Sequence, residues 1–143
     1  MNAPTSTRRR FTLRKKEILR GRKAFQEIFT RGRRINGTFL QGILLVEQHE
    51  APDKQQHVLV GFSARSTVKR AVDRNRIKRL MRESYRLNKH IFLSTVENST
   101  TSIRLLFLFA PKKISHSSEL PSHKEVEQDV KQILDTVANM NLK

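Results

Sequence analysis

The side chains with the clearest chemical potential are the cations between residues 74 and 86. Six Lys and Arg residues fall within these thirteen positions, and Glu83 is the one acid between Arg74 and Arg86. So many like charges on one helix repel each other, and a polyanionic partner is the physical reason that favours keeping them. The alternative is a solvated helix surface, but such surfaces usually mix charges of both signs. The segment therefore predicts contact with nucleic acid.

Helical periodicity explains how these charges are positioned. At about 100° per residue, one narrow apolar strip forms; its members are Ile77, Leu80, Met81 and Ser84. A basic row recurs every fourth residue beside the strip; its members are Arg74, Lys78, Arg82 and Arg86, widened by Arg76 and Arg79. The sequence therefore predicts a helix from about Lys69 to Asn88, with the strip buried and the row facing a partner.

Composition limits the classes of protein to consider. The 143 residues suffice for one domain with one core. Lys and Arg total 29 against 13 acids, a net charge of +16 that favours nucleic acid or an anionic membrane surface as partner. No apolar run approaches the roughly 18 residues that span a bilayer, and we expect a cytoplasmic protein. Cysteine is absent, which excludes disulfides, cysteine-ligated zinc and thiol chemistry.

The remaining segments predict the elements that surround the basic helix. Residues 1–20 predict a flexible basic tail and residues 21–143 a single domain. Apolar spacing from Lys23 to Phe29 predicts a short amphipathic helix that ends at Gly32. Here the Phe25–Phe29 pair suits either a core or a ligand platform.

Three segments predict strands, and the last predicts a helix. The strands are Thr38–Gln48, Val58–Ala64 and Ile103–Ala110, the last buried on both faces. The first two are expected to pair antiparallel because their connection is short. Gly42 suggests a bulge or the close approach of another backbone. Val126 to Val137 predicts a closing helix, so the fold is α+β, a small mixed sheet covered by helices in the order α-β-β-(β)-α-β-α.

Residues suited to catalysis are not arranged for it. The five histidines have no HExxH or HxH spacing, and no glycine-rich phosphate loop is present. An acidic group on the last helix (Glu125, Glu127 and Asp129) is expected to solvate the helix start, where negative charge suits the dipole. The chain reads as a binding protein and gives no case for a free-standing enzyme.

The basic helix also resembles a known family signature. Arg74 to Glu83 resembles the R-N-R-x-K-R-x-x-R-E signature of the bacterial ribonuclease P protein component. Phe25-Gln26-Glu27-Ile28-Phe29 resembles the F-Q-x-V-F element of that family's first helix, and Val60-Gly61-Phe62-Ser63 lies at the family's distance before the signature. The resemblance extends from about Leu19 to the final helix.

The resemblance implies a fold and a function. The fold would contain a left-handed crossover between two parallel strands, against the usual right-handed preference. The protein would be the small subunit of an RNA-based endonuclease that removes 5′ leaders from precursor tRNA. The RNA subunit would perform hydrolysis with bound magnesium, and the protein would supply no catalytic or metal-binding residue. Its partners would be the catalytic RNA and the leader, with no membrane and no obligate protein partner.

The resemblance also implies site residues. The expected contacts with the catalytic RNA are Arg65, Lys69, Arg70, Arg74, Asn75, Arg76, Lys78, Arg79 and Arg82. The expected lining of the leader cleft is Phe25, Phe29 and Phe39. Unpaired bases stack on such rings at about 1–3 kcal/mol each with little demand on sequence. Phosphate contacts by arginine would make the affinity fall steeply with salt.

Two positions depart from the family pattern. Arg65-Ser66-Thr67 stands where the family usually has S-K-K, and Gly42 stands where an aromatic residue often faces the leader.

Two other functions compete with the one that the resemblance implies. The first is a structural binder of ribosomal RNA, which predicts normal precursor-tRNA processing when the protein is depleted. The second is a self-sufficient nuclease, which predicts cleavage without any RNA cofactor.

Overall fold

The structure is a computed structural model that describes residues 13, 15–48, 58–64, 68, 70–91, 93, 101–110 and 121–140. The described residues form three α-helices, α1 (Arg22–Arg31), α2 (Ala71–Asn88) and α3 (His123–Asn139). They also form four strands, β1 (Arg33–Asn36), β2 (Leu40–Gln48), β3 (Val58–Ala64) and β4 (Thr101–Phe109). The predicted α+β class and element order are confirmed, and β1 is the additional short strand.

The four strands form one sheet in the order β1-β2-β4-β3. β4 pairs antiparallel with β2 and parallel with β3, so it lies between the two strands that the sequence analysis paired. The predicted β2–β3 pairing is therefore wrong. From Ile103 to Phe109 every β4 residue except Arg104 is buried, as predicted for this strand. A strand with apolar residues on both faces gains most at the centre of a sheet, and this outweighs the short β2–β3 connection.

Helices cover both faces of the sheet. On one face, here called the α2–α3 face, the core combines side chains of both helices with alternate strand residues; its members include Ile77, Met81, Tyr85, Val130, Ile133, Leu44 and Phe107. On the other, the α1 face, a smaller core lies under α1; its members are Leu19, Ile28, Ile43, Leu45, Leu106 and Leu108. α2 thus connects the adjacent parallel strands β3 and β4 by a crossover. The left-handed sense implied by the resemblance stays a prediction.

Gly42 lets α3 approach the sheet closely. A Cβ atom at this position would lie 2.8 Å from Cγ2 of Ile133 on α3. The β2–β4 register continues through Gly42, so there is no bulge, and the close neighbour is a side chain rather than a backbone. Because Gly42 faces α3, its lack of an aromatic ring removes no stacking surface from the α1 face.

Asp129 ties α3 to the start of β2. Its carboxylate is 4% exposed and accepts hydrogen bonds from the backbone N–H groups of Thr38 (3.2 Å), Phe39 (2.6 Å) and Leu40 (2.9 Å). The expectation that Asp129 solvates the helix start is therefore wrong. Glu125 lies at the start of α3 instead, where it forms a reciprocal capping box with Ser122. A buried carboxylate requires several donors, and the three backbone groups provide them.

Ordered contacts begin before the end of the predicted tail. A 3-10 turn covers Lys15–Glu17, Ile18 bridges to Val60, and the Leu19 N–H donates to the Val60 carbonyl at 2.7 Å. Nζ of Lys89, just after α2, lies 2.9 Å from Oε1 of Glu17, and Lys89 is 4% exposed. Residues 15–19 therefore belong to the fold, whereas residues 1–12 lie outside the described part.

Candidate nucleic-acid interface

The inner side of α2 anchors the helix on the sheet. Ile77 and Met81 are fully buried. Tyr85 contacts the rings of Phe62 and Phe107, with centroid distances of 6.1 and 5.9 Å. Burial raises the pKa of the Tyr85 phenol, which therefore stays neutral. The predicted apolar strip is confirmed as the buried side, so the orientation of the opposite side is fixed.

The outer side of α2 presents a row of unpaired cations. Four polar residues are solvent-exposed here and are called the arginine surface; they are Asn75, Arg76, Arg79 and Arg82. Within the part of the chain that the structure describes, none of them has a hydrogen bond or ion pair. Their guanidinium N–H donors are thus available to a partner, and a guanidinium stays charged throughout the physiological range.

The two ends of the predicted basic row have protein partners instead. Arg74 is half-buried, and its Nη1 donates to the Val68 carbonyl at 2.6 Å. Arg86 pairs with Glu83 at 3.0 Å, and this hydrogen bond holds the pKa of Glu83 below its usual value. Residues four apart advance by about 40° around a helix, so the row turns from the buried side at Arg74 toward the outer side.

The other predicted RNA contacts are placed as follows. Lys78 is partly exposed beside the arginine surface, and Arg70 is exposed at the N-cap of α2. Arg65 and Lys69 lie outside the described residues. Sequence reasoning missed Val72, which is 70% exposed in the first turn of α2, four residues before Arg76. The available signal was an apolar side chain that falls away from the buried strip.

Two aromatic residues lie one helical turn apart on α1. Phe25 packs against the smaller core, and a Cβ atom on Gly61 would lie 3.2 Å from its Cε1 atom. The absence of a side chain at Gly61 therefore seats the Phe25 ring directly on β3. Phe29, one turn later, is 40% exposed. Phe25 is thus only partly buried where it packs on this core, and Phe29 next to it is open to a ligand.

A balanced charge network lies on the opposite side of α1. Glu27 pairs with Arg31 at 3.4 Å and with Arg104. Glu47 pairs with the same two arginines at 3.7 and 3.6 Å. Glu27 is about 200° around the helix from Phe25, so the network occupies the end of the α1 face away from the rings. Its charges sum to zero, which leaves little attraction for a phosphate there.

A polar row crosses β1 and β2 on the α1 face and is called the amide row. Arg34 Nη1 donates to Gln41 Oε1 at 2.7 Å, and Gln41 Nε2 donates to Asn36 Oδ1 at 2.8 Å. Arg34 pairs in register with Ile43, whose side chain belongs to the core under α1, so the row shares that face. Strand alternation puts Gln41 and Ile43 on one face of β2, but nothing in the sequence joins Gln41 to Arg34 and Asn36.

Phe39 is separated from the other two predicted cleft residues. It packs against the core of the α2–α3 face, and its N–H donates to Asp129. The prediction that Phe39 lines the same cleft as Phe25 and Phe29 is therefore corrected: the residue precedes β2 and turns toward α3. That Phe25 and Phe29, one turn apart on α1, line a leader cleft stays a prediction.

The described residues contain neither a cluster of metal ligands nor a membrane-spanning helix. No group of three or more His, Cys, Asp or Glu side chains among them could hold a metal ion. No helix in the same residues is long and apolar enough to cross a membrane. The fold and surfaces thus define a class of small α+β proteins with a cationic helix on one face of a sheet and aromatic rings on the other.

Comparison with known proteins identifies the family. The sequence model of the Ribonuclease P family matches residues 13–138. The chain is 33% identical over 145 residues to the ribonuclease P protein component of Chlorobaculum tepidum, covering 96% of this chain and 90% of that protein. It is 32% identical to the Porphyromonas gingivalis component, covering 90% and 88%. The RNase P protein structure from Thermotoga maritima matches with a TM-score of 0.61 at 21% identity, covering 84% of this chain and 96% of that one.

These matches confirm the resemblance carried by the basic helix. The chain belongs to the ribonuclease P protein family. The structural similarity, at low sequence identity, independently shows that the fold is that of RNase P proteins.

Proposed function

We propose that this chain is the protein subunit that helps ribonuclease P remove the 5′ leader from precursor tRNA. In this assembly it binds the catalytic RNA through α2 and the single-stranded leader through the α1 face. The observation that carries the proposal is the arginine surface, whose three guanidinium groups are exposed without a partner among the described residues.

The charge of α2 supports binding of a polyanion. Within α2, Glu83 pairs closely with Arg86, and its weaker charge interaction with Arg82 offsets only a small part of the arginine surface. Three adjacent guanidinium groups repel each other, and phosphate contacts relieve that repulsion while releasing counterions from the RNA. Asn75 and Val72 add hydrogen-bonding and apolar contacts at the same surface. α2 thus provides affinity that depends steeply on salt.

The α1 face supports binding of an unpaired strand. The exposed Phe29 ring and the neighbouring Phe25 offer stacking surfaces, worth about 1–3 kcal/mol per base. The neutral charge network at one end of this face offers the leader little attraction. The leader therefore lies along the other part of the face, which carries the rings and the amide row. Stacking accepts any base, which suits a subunit that serves many precursor tRNAs.

The chain's own contribution is binding and positioning. In this proposal, as the family resemblance implies, the magnesium required for hydrolysis is bound mainly by the RNA. We further propose that the RNA carries the catalytic step and that no second protein is required. The protein raises the affinity for substrate and thereby supports metal-dependent cleavage by the RNA.

The test combines purified protein, the cognate catalytic RNA and precursor tRNA at low magnesium. We expect leader removal when protein and RNA are both present, and none with the protein alone. Cleavage by the protein alone would show a self-sufficient nuclease and refute the proposal. Unchanged processing after depletion of the protein, with stable binding to ribosomal RNA, would instead indicate a structural RNA binder.

A further inference from the structure

The amide row has a polarity that suits a particular kind of base. The two side-chain carbonyl oxygens, Gln41 Oε1 and Asn36 Oδ1, each accept a hydrogen bond within the row. The remaining hydrogen-bonding groups are mainly donors: the Asn36 NH2 group, the second Gln41 N–H and the other guanidinium N–H groups of Arg34. Asn36 Nδ2 has no partner among the described residues. The row therefore presents N–H groups outward.

The row lies near the aromatic rings on the same face. Gly61, Leu106, Ile43 and Arg34 are register partners across the four strands. Neighbouring strands are about 4.8 Å apart, so Arg34 is about 14 Å from Gly61, on which the Phe25 ring lies. An RNA leader whose bases stack on Phe25 and Phe29 therefore reaches the amide row within a few nucleotides.

The fold does not depend on the row. Its hydrogen bonds are exposed to solvent, where such bonds contribute little to stability. Neither Arg34 nor Asn36 is buried, and Gln41 is partly exposed. Its donors therefore remain available to a ligand on the α1 face.

Donors discriminate between two classes of base. Guanine presents O6 and N7 as acceptors and uracil presents O4, whereas adenine and cytosine present an amino donor at the corresponding position. Unpaired bases expose these edges to protein side chains. An amino group placed against the amide row would leave donors facing donors, which costs affinity. We propose that the amide row selects a keto base, guanine or uracil, at one position of the bound leader. This inference rests on the proposed function.

The test measures holoenzyme affinity for precursor tRNAs whose leaders have equal length and differ in one base. With the wild-type protein we expect binding about tenfold tighter for guanine and uracil than for adenine and cytosine at one leader position. Gln41→Leu removes the centre of the row and should abolish this ratio. In the Asn36→Asp variant, one carboxylate oxygen still accepts the hydrogen bond from Gln41. The other oxygen replaces the outward NH2 donor with an acceptor, so the base preference should reverse toward adenine and cytosine.

The control variant is Asn139→Asp, which adds the same charge at an exposed position near the end of α3. It should leave the base ratio unchanged, even if the added charge lowers affinity for every leader. Equal affinity for all four bases at every position would overturn the inference, while a gain in affinity with leader length would still support the proposed function. Affinity independent of both leader length and sequence would overturn the two together.

Discussion

Replacing Asp129 by Ala tests how α3 supports the strand that carries the amide row. The carboxylate holds the backbone N–H groups of residues 38–40, immediately before Gln41. Leu40 is buried and Phe39 partly buried, so these two N–H groups would lose their partner without gaining full access to water. Each such loss costs about 1–3 kcal/mol, whereas the exposed Thr38 can bind water. The expected cost is about 4 kcal/mol of unfolding free energy.

Urea denaturation and a thermal melt measure this cost. A change of about 4 kcal/mol is a large part of the 5–15 kcal/mol typical of a domain, and corresponds to a fall in Tm of about 12 °C for a chain of this size. Asp129→Asn keeps one acceptor oxygen and should lose about half as much. Asp135→Ala, at an exposed position of the same helix, is the control and should change stability by less than about 0.5 kcal/mol. An Asp129→Ala protein as stable as the control would refute the reasoning.

Two other variants probe the cleft and the N-terminal contact. Phe29→Ala removes the exposed ring and should weaken holoenzyme binding about tenfold for precursors with long leaders, with little change for leaderless tRNA; equal losses on both substrates would contradict a stacking role. Glu17→Gln removes a charged partner of the buried Lys89 and should lower the free energy of unfolding by about 3 kcal/mol in a urea titration. Adding Lys89→Met should recover most of that loss, and an additive further loss would contradict the pairing.

Local patterns predicted the parts of the fold that local chemistry determines. The strip at Ile77 and Met81 identified the buried side of α2, and the apolar run of β4 identified a strand buried on both faces. The neighbours of each strand were not predictable in this way, because pairing depends on the whole sheet. β4 separates β2 from β3 although its residues are distant in sequence.

The candidate site shows the same division. Spacing predicted a cationic side of α2, but it placed Arg74 in one row with Arg82, whereas the structure gives Arg74 a backbone partner. Asp129 looked like one of several acids near a helix start, since its three backbone donors are about ninety residues away in sequence. The amide row joins two strands through their register, which a sequence pattern does not contain.

The arginine surface is the central claim, and its salt-dependent affinity for the catalytic RNA tests it most directly. The test protein combines Arg76→Gln, Arg79→Gln and Arg82→Gln. The control removes an equal charge from exposed positions elsewhere, with Lys15→Gln, Lys124→Gln and Lys131→Gln. If three phosphate contacts are lost, the slope of log affinity against log salt should become shallower by about 2 to 3 in the test protein, and change much less in the control. Equal slopes for the test, control and wild-type proteins would contradict the account.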